Sequence, residues 1–329
     1  MKYNSHFNNI KSHFPGLDLL KETEFNLFRN EIFAVSLIET CVSLCSKSSE
    51  NLNINLNFGV IYNHTYNASA RIKGNQAIIT FNLGLIDKLD IIISDSVNLF
   101  MSEDIANATT NKIQKEELKQ ICCECCISYL FYHELAHIIQ ISGTKENNSY
   151  DFQEKYTEVK LFDVKQHVYE FDADLFGAML SVVELMKNIM NENYQFKSVV
   201  LFNSLTALIF ALSNIIIEYS RDLFDEIYYQ HNSHPHPFIR IIKCNEQILG
   251  NILKNLDVSK EFLDTIFQRS TTMISQVLYS KGRTLNYAKF YNNNSKEIKE
   301  YIDEIEDLNI LHKELTRYKT EDFFNKLIN

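Results

Sequence analysis

One stretch constrains the fold of this 329-residue chain more than any other: residues 112–142, which contain the sequence HELAH at positions 133–137. No Pro or Gly interrupts the stretch, so it predicts one long helix. His133 and His137 are one turn apart and share a face, and Glu134 lies about 100° round the helix from His133. This H-E-x-x-H spacing is typical of two imidazoles on one metal ion, with a carboxylate beside the metal-bound water.

The ends and the faces of the predicted helix agree with this interpretation. Asn111 with Gln114 matches a capping box, and Gly143 can supply a left-handed C-terminal cap. On a helical projection, a stripe about 80° wide predicts the buried face. The stripe consists of Cys122, Cys126, Tyr129, His133 and His137. The two histidines are therefore expected to face inward, where a metal site belongs.

Composition excludes some classes of function. The net charge is −10, which argues against a nucleic-acid-binding protein, because phosphate binding favours a basic face. Eight Gly and three Pro favour long helices over a β-rich fold.

Seven cysteines, four of them at positions 122–126, do not form a disulfide framework, so we expect a reducing, cytoplasmic location. Cys122 and Cys126 are expected in the core, whereas Cys123 or Cys125 is the candidate for an exposed thiol.

The most apolar run, Val199–Ile217, bears on contact with a membrane. It contains Asn203, Ser204 and Asn214, which are polar for a membrane span. The run therefore predicts a buried core helix and no membrane contact. A membrane-attached protease is kept as a third alternative, which depends on this run partitioning into detergent. The N-terminus has no apolar run typical of a signal peptide.

The remaining patterns predict an α+β fold that is mainly α. Residues 53–62 alternate in part as a strand does, and residues 68–73 and 76–82 form a predicted hairpin around Gly74-Asn75. We predict a single catalytic domain over residues 1–329. It consists of N-terminal helices (1–50, with helices at 17–29 and 31–44), a core (51–245) and a C-terminal helical extension (246–329).

The third metal ligand is expected from a second helix, predicted over residues 159–190. A catalytic zinc site uses three protein ligands. His167, Glu170 and Asp174 share one face at spacings of three and four residues, so spacing alone does not choose among them. Asp174 has another role open to it, because it can accept the N–H of a ligating imidazole and fix its tautomer.

Four segments resemble the HtpX-like gluzincin peptidases, whose relatives include the CAAX prenyl proteases and the Oma-type mitochondrial proteases. The first is the HELAH helix, and the second is EFDAD at 170–174, similar to E-x-x-A-D. The third is SHP at 233–235 with Arg240 and Ile241, similar to T-H-P-x-x-x-x-R-I. The fourth is residues 77–89, similar to a strand followed by G-L-L-D-x-L. The segments occur in the family's order and cover roughly residues 75–242 with gaps.

The resemblance implies a zincin-like (gluzincin) core with a small mixed sheet and one Zn²⁺ per chain. By this resemblance the metal ligands are His133, His137 and Glu170, with Asp174 behind one of the imidazoles. Glu134 would be the catalytic base. His234 and Arg240 would lie near the oxyanion or hold the site together.

The resemblance also implies a mode of substrate binding. Ile78, Ile79, Thr80 and Phe81 would form an edge strand that pairs with an extended peptide. Two departures from the family pattern mean that the substrate class is not inherited. The chain lacks the clear membrane spans of many relatives, and Phe171-Asp172 differs from the residues usual there. The helix, the size and the absence of clear spans also resemble Lit-type phage-exclusion peptidases.

Two classes of function follow. The first is a zinc-dependent endopeptidase, in which Glu134 activates a zinc-bound water against a peptide bond of a protein substrate. The alternative is a catalytically idle, zinc-stabilised binding or regulatory protein whose residues 256–329 dock a partner. A regulatory protein partner is compatible with either function, because a protease in the cytoplasm must be restrained.

Overall fold

The computed structural model describes residues 2–102, 114–142, 150–153, 164–191, 197–219, 234–280, 282, 286–311 and 320. The predicted cap residues Asn111 and Gly143 lie outside these residues. Gln114, predicted inside the first helical turn, is instead the extended residue that precedes a helix beginning at Lys115.

Nine helices and four strands are described, besides a short 3₁₀ helix at Glu22–Leu27. The strands are β1 (Asn55–Ile61), β2 (Ala68–Lys73), β3 (Gln76–Asn82) and β4 (Tyr150–Gln153). The helices are α1 (Tyr3–His13), α2 (Glu31–Leu52), α3 (Leu83–Ser102), α4 (Lys115–Ile141), α5 (Val164–Asn191), α6 (Lys197–Tyr219), α7 (Pro237–Asn255), α8 (Lys260–Ser280) and α9 (Tyr287–Leu311). The prediction of a mainly helical α+β fold with a small mixed sheet is confirmed.

The strands form one sheet in the order β1-β3-β2-β4. β1 and β3 are parallel, whereas β2 is antiparallel to both β3 and β4. The predicted hairpin is present, and Gly74 has a φ of 62° at the first turn position. A two-residue turn of type II′ places glycine there, because only glycine adopts positive φ without steric cost.

The sheet order contradicts one prediction from the resemblance. Ile78–Phe81 was expected at an edge of the sheet, free to pair with a substrate. β3 instead lies between β1 and β2 and pairs with both along its length, so its backbone groups are already used. The proposed pairing of substrate with Ile78, Ile79, Thr80 and Phe81 is therefore wrong. The physical reason is that β1 pairs in parallel with the side of β3 that β2 leaves free. Each β1 residue lies opposite the β3 residue 21 positions later in the sequence.

The N-terminal region differs from its prediction. The first helix is α1, and a helix over 17–29 is replaced by the short 3₁₀ helix. The backbone explains the difference, because Leu19 pairs with Ile61 and the Leu20 N–H donates to the carbonyl of Val60. The chain around Leu19 and Leu20 is extended because it pairs with the end of β1, and an extended segment cannot be part of a helix. The predicted boundaries at 50/51 and 245/246 fall inside α2 and α7, and one hydrophobic cluster contains residues from α1 to α9.

Helix α4 is the centre of the fold. Every residue from Cys125 to Ile141 is buried, and the helix contacts α2, α3, α5, α6 and the sheet. The predicted stripe is buried as expected, but the remaining faces are buried as well. A helix that is apolar on all sides belongs in the interior of a large fold. Its polar residues therefore have to find partners on the helices around it.

Among the described helices and strands, α4 and α5 make the most extensive contact, and they run antiparallel. Near one end of the contact Gly177 faces Tyr129, and near the other Gln140 contacts Tyr169. A Cβ atom on Gly177 would lie 2.6 Å from the carbonyl oxygen of Tyr129. Glycine at this position therefore allows the two backbones to approach closely.

Among the residues that the structure describes, two helices are long and apolar enough to cross a membrane, by length and composition only. They are Glu31–Leu52, with 44% of its most apolar window buried, and Ser198–Tyr219, with 94% buried. The second has a mean hydropathy of 2.1 and packs against α3, α4 and α8. This burial agrees with the predicted core helix, and contact with a membrane stays untested.

The close approach of α4 and α5 gives a first prediction. Gly177→Ala should lower the free energy of unfolding by about 1–3 kcal/mol, because the added methyl group overlaps backbone that cannot move freely. Gly250→Ala is the control: this residue is also helical, and its Cβ would meet nothing within 4 Å. That change should be neutral or slightly stabilising. Thermal unfolding measures both, and equal Tm values for the two variants would contradict the close approach.

Candidate metal centre

The two motif histidines meet a carboxylate from the neighbouring helix. His133 and His137 project from α4, and Glu170 projects from α5. One ligand atom from each lies within 4.8 Å of the others, and all three residues are buried. In the described part of the chain, this is the group of histidine, cysteine and acidic residues that can hold a metal ion.

The distances fit a single ion. The Nε2 atoms of His133 and His137 are 3.3 Å apart. His133 Nε2 lies 3.6 Å from Glu170 Oε2, and His137 Nε2 lies 3.8 Å from Glu170 Oε1. Ligands about 2.0–2.2 Å from a tetrahedral zinc are themselves about 3.3–3.6 Å apart. Glu170 Oε2 is buried and has no hydrogen-bond partner among the described residues. Buried polar atoms normally have a partner, and a metal ion would supply one for this oxygen.

The charge state of Glu170 suits a ligand. Burial acts to raise the pKa of this carboxyl, but His234, His133 and His137 surround it, and together they hold its pKa well below the usual range. His234 Nε2 lies 3.5 Å from Glu170 Oε1. Glu170 is therefore an anion in the interior, and a buried anion requires a cation or several hydrogen-bond donors.

The competitors for the third ligand position are engaged elsewhere. His167 Nδ1 lies 2.6 Å from the hydroxyl of Tyr301, on α9. Asp174 lies behind the cluster, with Oδ1 3.0 Å from His133 Nδ1. The structure thus brings Glu170 to the two Nε2 atoms and Asp174 to the opposite side of one imidazole. This is the arrangement predicted from the resemblance.

Asp174 connects three helices. Its carboxylate accepts hydrogen bonds from Arg240 Nε at 2.7 Å, from Arg240 Nη2 at 2.8 Å and from the Tyr129 hydroxyl at 2.7 Å. Burial acts to raise the pKa of Asp174, but the Arg240 guanidinium and the His133 contact hold it well below the usual range. Burial, together with Asp174, raises the pKa of Tyr129, so this hydroxyl stays protonated and donates.

Arg240 reaches Asp174 from the first turn of α7. That helix begins at Pro237, and the His236 side chain accepts a hydrogen bond from the Phe238 N–H as a cap. His236 also stacks on Phe290 of α9, with ring centroids 4.5 Å apart. Arg240 therefore contacts the residue behind His133, and the observed geometry gives it the role of holding the site together.

The other imidazole of the pair has a different partner. His137 Nδ1 lies 3.0 Å from Gln140 Oε1. The Gln140 amide nitrogen donates to the Tyr169 carbonyl at 3.0 Å and to Asp172 Oδ2 at 2.9 Å. Sequence reasoning missed Gln140, although it lies three residues after His137 and so shares its face.

The expected catalytic base is also in the interior. Glu134 follows His133 on α4 and is 2% exposed. Its role as a base is a prediction from the motif, and the same holds for the role of His234 near an oxyanion.

The cysteine cluster is not a second metal site. Cys122, Cys125 and Cys126 are buried and Cys123 is half-buried, so the expectation that Cys125 could be exposed is wrong. Burial raises the pKa of each of these thiols, and none of them belongs to the group of candidate metal ligands found among the described residues. All seven cysteines are free.

Comparison with known proteins adds no relative. No model of a protein family matches the sequence, and neither the curated proteins nor the solved structures contain a match. The resemblance to the gluzincin peptidases therefore stays a prediction from the motifs.

The ligand set can be tested by metal content. Glu170→Gln should lose most of the bound metal, because an amide oxygen is a weaker ligand than a carboxylate. His167→Asn should retain it, since His167 contacts Tyr301 and not the cluster. Elemental mass spectrometry for zinc, iron and manganese measures both variants against the wild type, and a metal-free His167→Asn with a normal circular dichroism spectrum would contradict the assignment.

The Asp174–Arg240 pair predicts a large effect on stability. Arg240→Gln should lower the free energy of unfolding by about 3–5 kcal/mol, because it leaves a buried carboxylate without its cation. Lys243→Gln, on the same helix, breaks a contact with the exposed Glu306 and should cost less than about 1 kcal/mol.

The pH dependence has a definite sign. Because the pKa of Asp174 is lowered on folding, its contribution is present above about pH 3.9 and is lost as the pH falls towards the folded-state value. Urea unfolding of wild type and Arg240→Gln at pH 7 and at about pH 2 measures the difference in stability, which should be smaller at pH 2. Equal stability of the two proteins at pH 7 would contradict the pairing.

Proposed function

We propose that this protein is a zinc-dependent endopeptidase that hydrolyses peptide bonds of a protein substrate. The observation that supports the proposal most directly is the buried group of two imidazoles and one carboxylate with Glu134 beside it in the sequence. Two nitrogen ligands and one oxygen ligand suit zinc, and they also suit iron in some oxygenases. The H-E-x-x-H spacing favours the hydrolase, because it adds a carboxylate next to a ligand.

Each residue of the site has a role in this proposal. His133, His137 and Glu170 hold the ion, which when bound polarises the substrate carbonyl and makes water more acidic. Glu134 takes a proton from the attacking water and then passes it to the leaving amine. Asp174 fixes the orientation of the His133 ring, and Arg240 keeps Asp174 ionised. His234 contributes a donor on the Glu170 side of the site, where an oxyanion can be stabilised.

The proposed location is the cytoplasm, and the free cysteines support it, because disulfides do not form in reducing compartments. The proposed partner in the reaction is a protein or peptide. The substrate would have to bind elsewhere than along β3, because β3 is already paired on both sides.

Two observations favour the alternative, an idle zinc-stabilised binding or regulatory protein. First, His133, His137 and Glu170 are only 1–2% exposed, whereas a peptide carbonyl has to reach the ion. Second, helices α7, α8 and α9 surround an apolar groove of about 550 Å³. Its lining includes Leu249, Leu253, Leu263, Phe267 and Tyr291. A groove of this size and character is typical of a binding site.

Replacing the proposed base separates the two functions. Glu134→Gln should retain the metal and lower the cleavage rate about 10²–10⁴-fold, because it removes proton transfer and leaves the three ligands in place. Glu124→Gln is the matched control, since Glu124 lies on α4 but contacts Gln120 and Asn188. The assay measures cleavage of unfolded casein with and without 1,10-phenanthroline.

The outcomes lead to different conclusions. Cleavage by Glu134→Gln at the wild-type rate would remove Glu134 as the base. A wild-type protein that binds zinc but shows no chelator-sensitive cleavage would favour the binding protein. A wild-type protein without metal would contradict the proposed site itself.

A further inference from the structure

Gln140 has an arrangement of contacts that the proposed reaction does not use. It is 3% exposed and lies almost one turn after His137 on α4. Its oxygen faces the imidazole of His137, and its nitrogen faces two acceptors on α5, the carbonyl of Tyr169 and the carboxylate of Asp172. Each polar atom of this amide therefore contacts a separate group.

These contacts fix the orientation of the amide. An amide nitrogen has two hydrogens and an amide oxygen only accepts. Rotating the Gln140 amide by 180° would place its oxygen against the Tyr169 carbonyl and the Asp172 carboxylate, where acceptors would face acceptors. Gln140 must therefore present its oxygen to His137, and His137 Nδ1 must carry a hydrogen to donate to it.

The orientation of the amide thus decides the tautomer of His137. A neutral imidazole with its hydrogen on Nδ1 has its lone pair on Nε2. His137 Nε2 is the atom that faces His133 Nε2 and Glu170. We propose that Gln140 and Asp172 are positioning residues that hold His137 in its metal-binding tautomer. The inference rests on the metal site of the proposed function.

Asp172 acts through Gln140 in this proposal. It is 1% exposed, and its carboxylate contacts Gln140 on one side. The hydroxyl oxygen of Thr320 lies 3.2 Å from one oxygen of this carboxylate and 3.4 Å from the other, and it donates its one hydrogen to the carboxylate. Thr320 lies 148 residues further along the chain. The network therefore connects a ligand on the central helix to the C-terminal region of the chain.

The two imidazoles are held by chemically different groups. His133 Nδ1 faces the charged Asp174, whereas His137 Nδ1 faces a neutral amide with a carboxylate behind it. Partners of this kind affect metal affinity about 10- to 100-fold. Loss of Gln140 should therefore weaken zinc binding within that range without removing any ligand.

A double-mutant cycle tests whether Asp172 acts on His137 through Gln140, an arrangement that we call the relay. We expect Gln140→Leu to weaken zinc binding about 10- to 100-fold. Asp172→Ala should cause a smaller loss, because the Tyr169 carbonyl still holds the amide. In the Gln140→Leu background, Asp172→Ala should cause no further loss, since the residue through which it acts is gone. Competition with a chromogenic zinc chelator measures all four proteins, and far-UV circular dichroism of each zinc-free protein reports folding.

The control and a rescue variant keep the test informative. Ser181→Ala removes a buried hydroxyl on α5 that bonds only within its own helix among the described contacts, and it should leave zinc affinity unchanged. The conservative variant Asp172→Asn serves as the rescue, because an amide oxygen at 172 can still accept from the Gln140 nitrogen and the Tyr169 contact is untouched. It should bind zinc within about threefold of the wild type, in contrast to Asp172→Ala. That comparison remains available if Gln140→Leu does not fold.

A measurement without metal separates this inference from the proposed function. Long-range ¹H–¹⁵N correlation of histidine rings reports which nitrogen carries the hydrogen. The zinc-free wild type should show His137 protonated at Nδ1, identified by the loss of its signals in His137→Asn, and Gln140→Leu should show a mixture.

Each outcome decides one claim. A wild type that binds no zinc but shows the expected tautomer would contradict the proposed function and support the positioning role. A zinc-binding wild type with unchanged affinity in Gln140→Leu would overturn the positioning role. An equal loss from Asp172→Ala in both backgrounds would show that Asp172 acts independently of Gln140 and would overturn the relay.

Discussion

The contact on which the rest of the structure depends is the buried carboxylate of Asp174 with its donors from two other helices. A charge in the interior is tolerated only when it is paired and hydrogen-bonded. Arg240 of α7 and Tyr129 of α4 meet that requirement, and the same carboxylate lies behind His133. Because the three helices must meet at this point, their relative positions are set by the need to satisfy one carboxylate. The same contact therefore fixes the relative positions of the metal ligands on these helices.

The close contact of α4 and α5 follows from two matching rows of residues. On α4 the row is His133, His137 and Gln140, and on α5 it is Glu170, Asp174 and Gly177, each at spacings of four and three. Residues at such spacings lie on one face of a helix. The polar members provide the site, and Gly177 removes the side chain that would otherwise separate the backbones. The candidate metal site and the packing of α4 against α5 therefore use the same two helix faces.

Local patterns were sufficient to predict some features and not others. The HELAH spacing, the burial of its stripe and the Gly74-Asn75 hairpin each depend on residues close in sequence, and all three are present. Spacing alone did not choose Glu170 over His167, and the resemblance supplied that choice. The contact that engages His167, with Tyr301 134 residues away, is not contained in local spacing. The interior position of β3 likewise depends on where β1 pairs. Gln140 was within reach of the helical pattern, but its importance depends on Asp172 from another helix.

Formal charge gives an independent reason to expect a cation at this site. The buried set around the imidazoles contains four carboxylates, those of Glu134, Glu170, Asp172 and Asp174, and one guanidinium, that of Arg240. Arg240 pairs with the carboxylate of Asp174. Glu170 instead faces three imidazoles, and an anion in a medium of low polarity requires a cation or hydrogen-bond donors. Protons on the histidines can offset part of this charge, but a protonated Nε2 on both rings would place two like charges 3.3 Å apart. A divalent cation held by His133, His137 and Glu170 would offset the carboxylate charge without that repulsion. The neutral amide of Gln140 fits the same logic, because a carboxylate in its place would add a further buried charge beside His137.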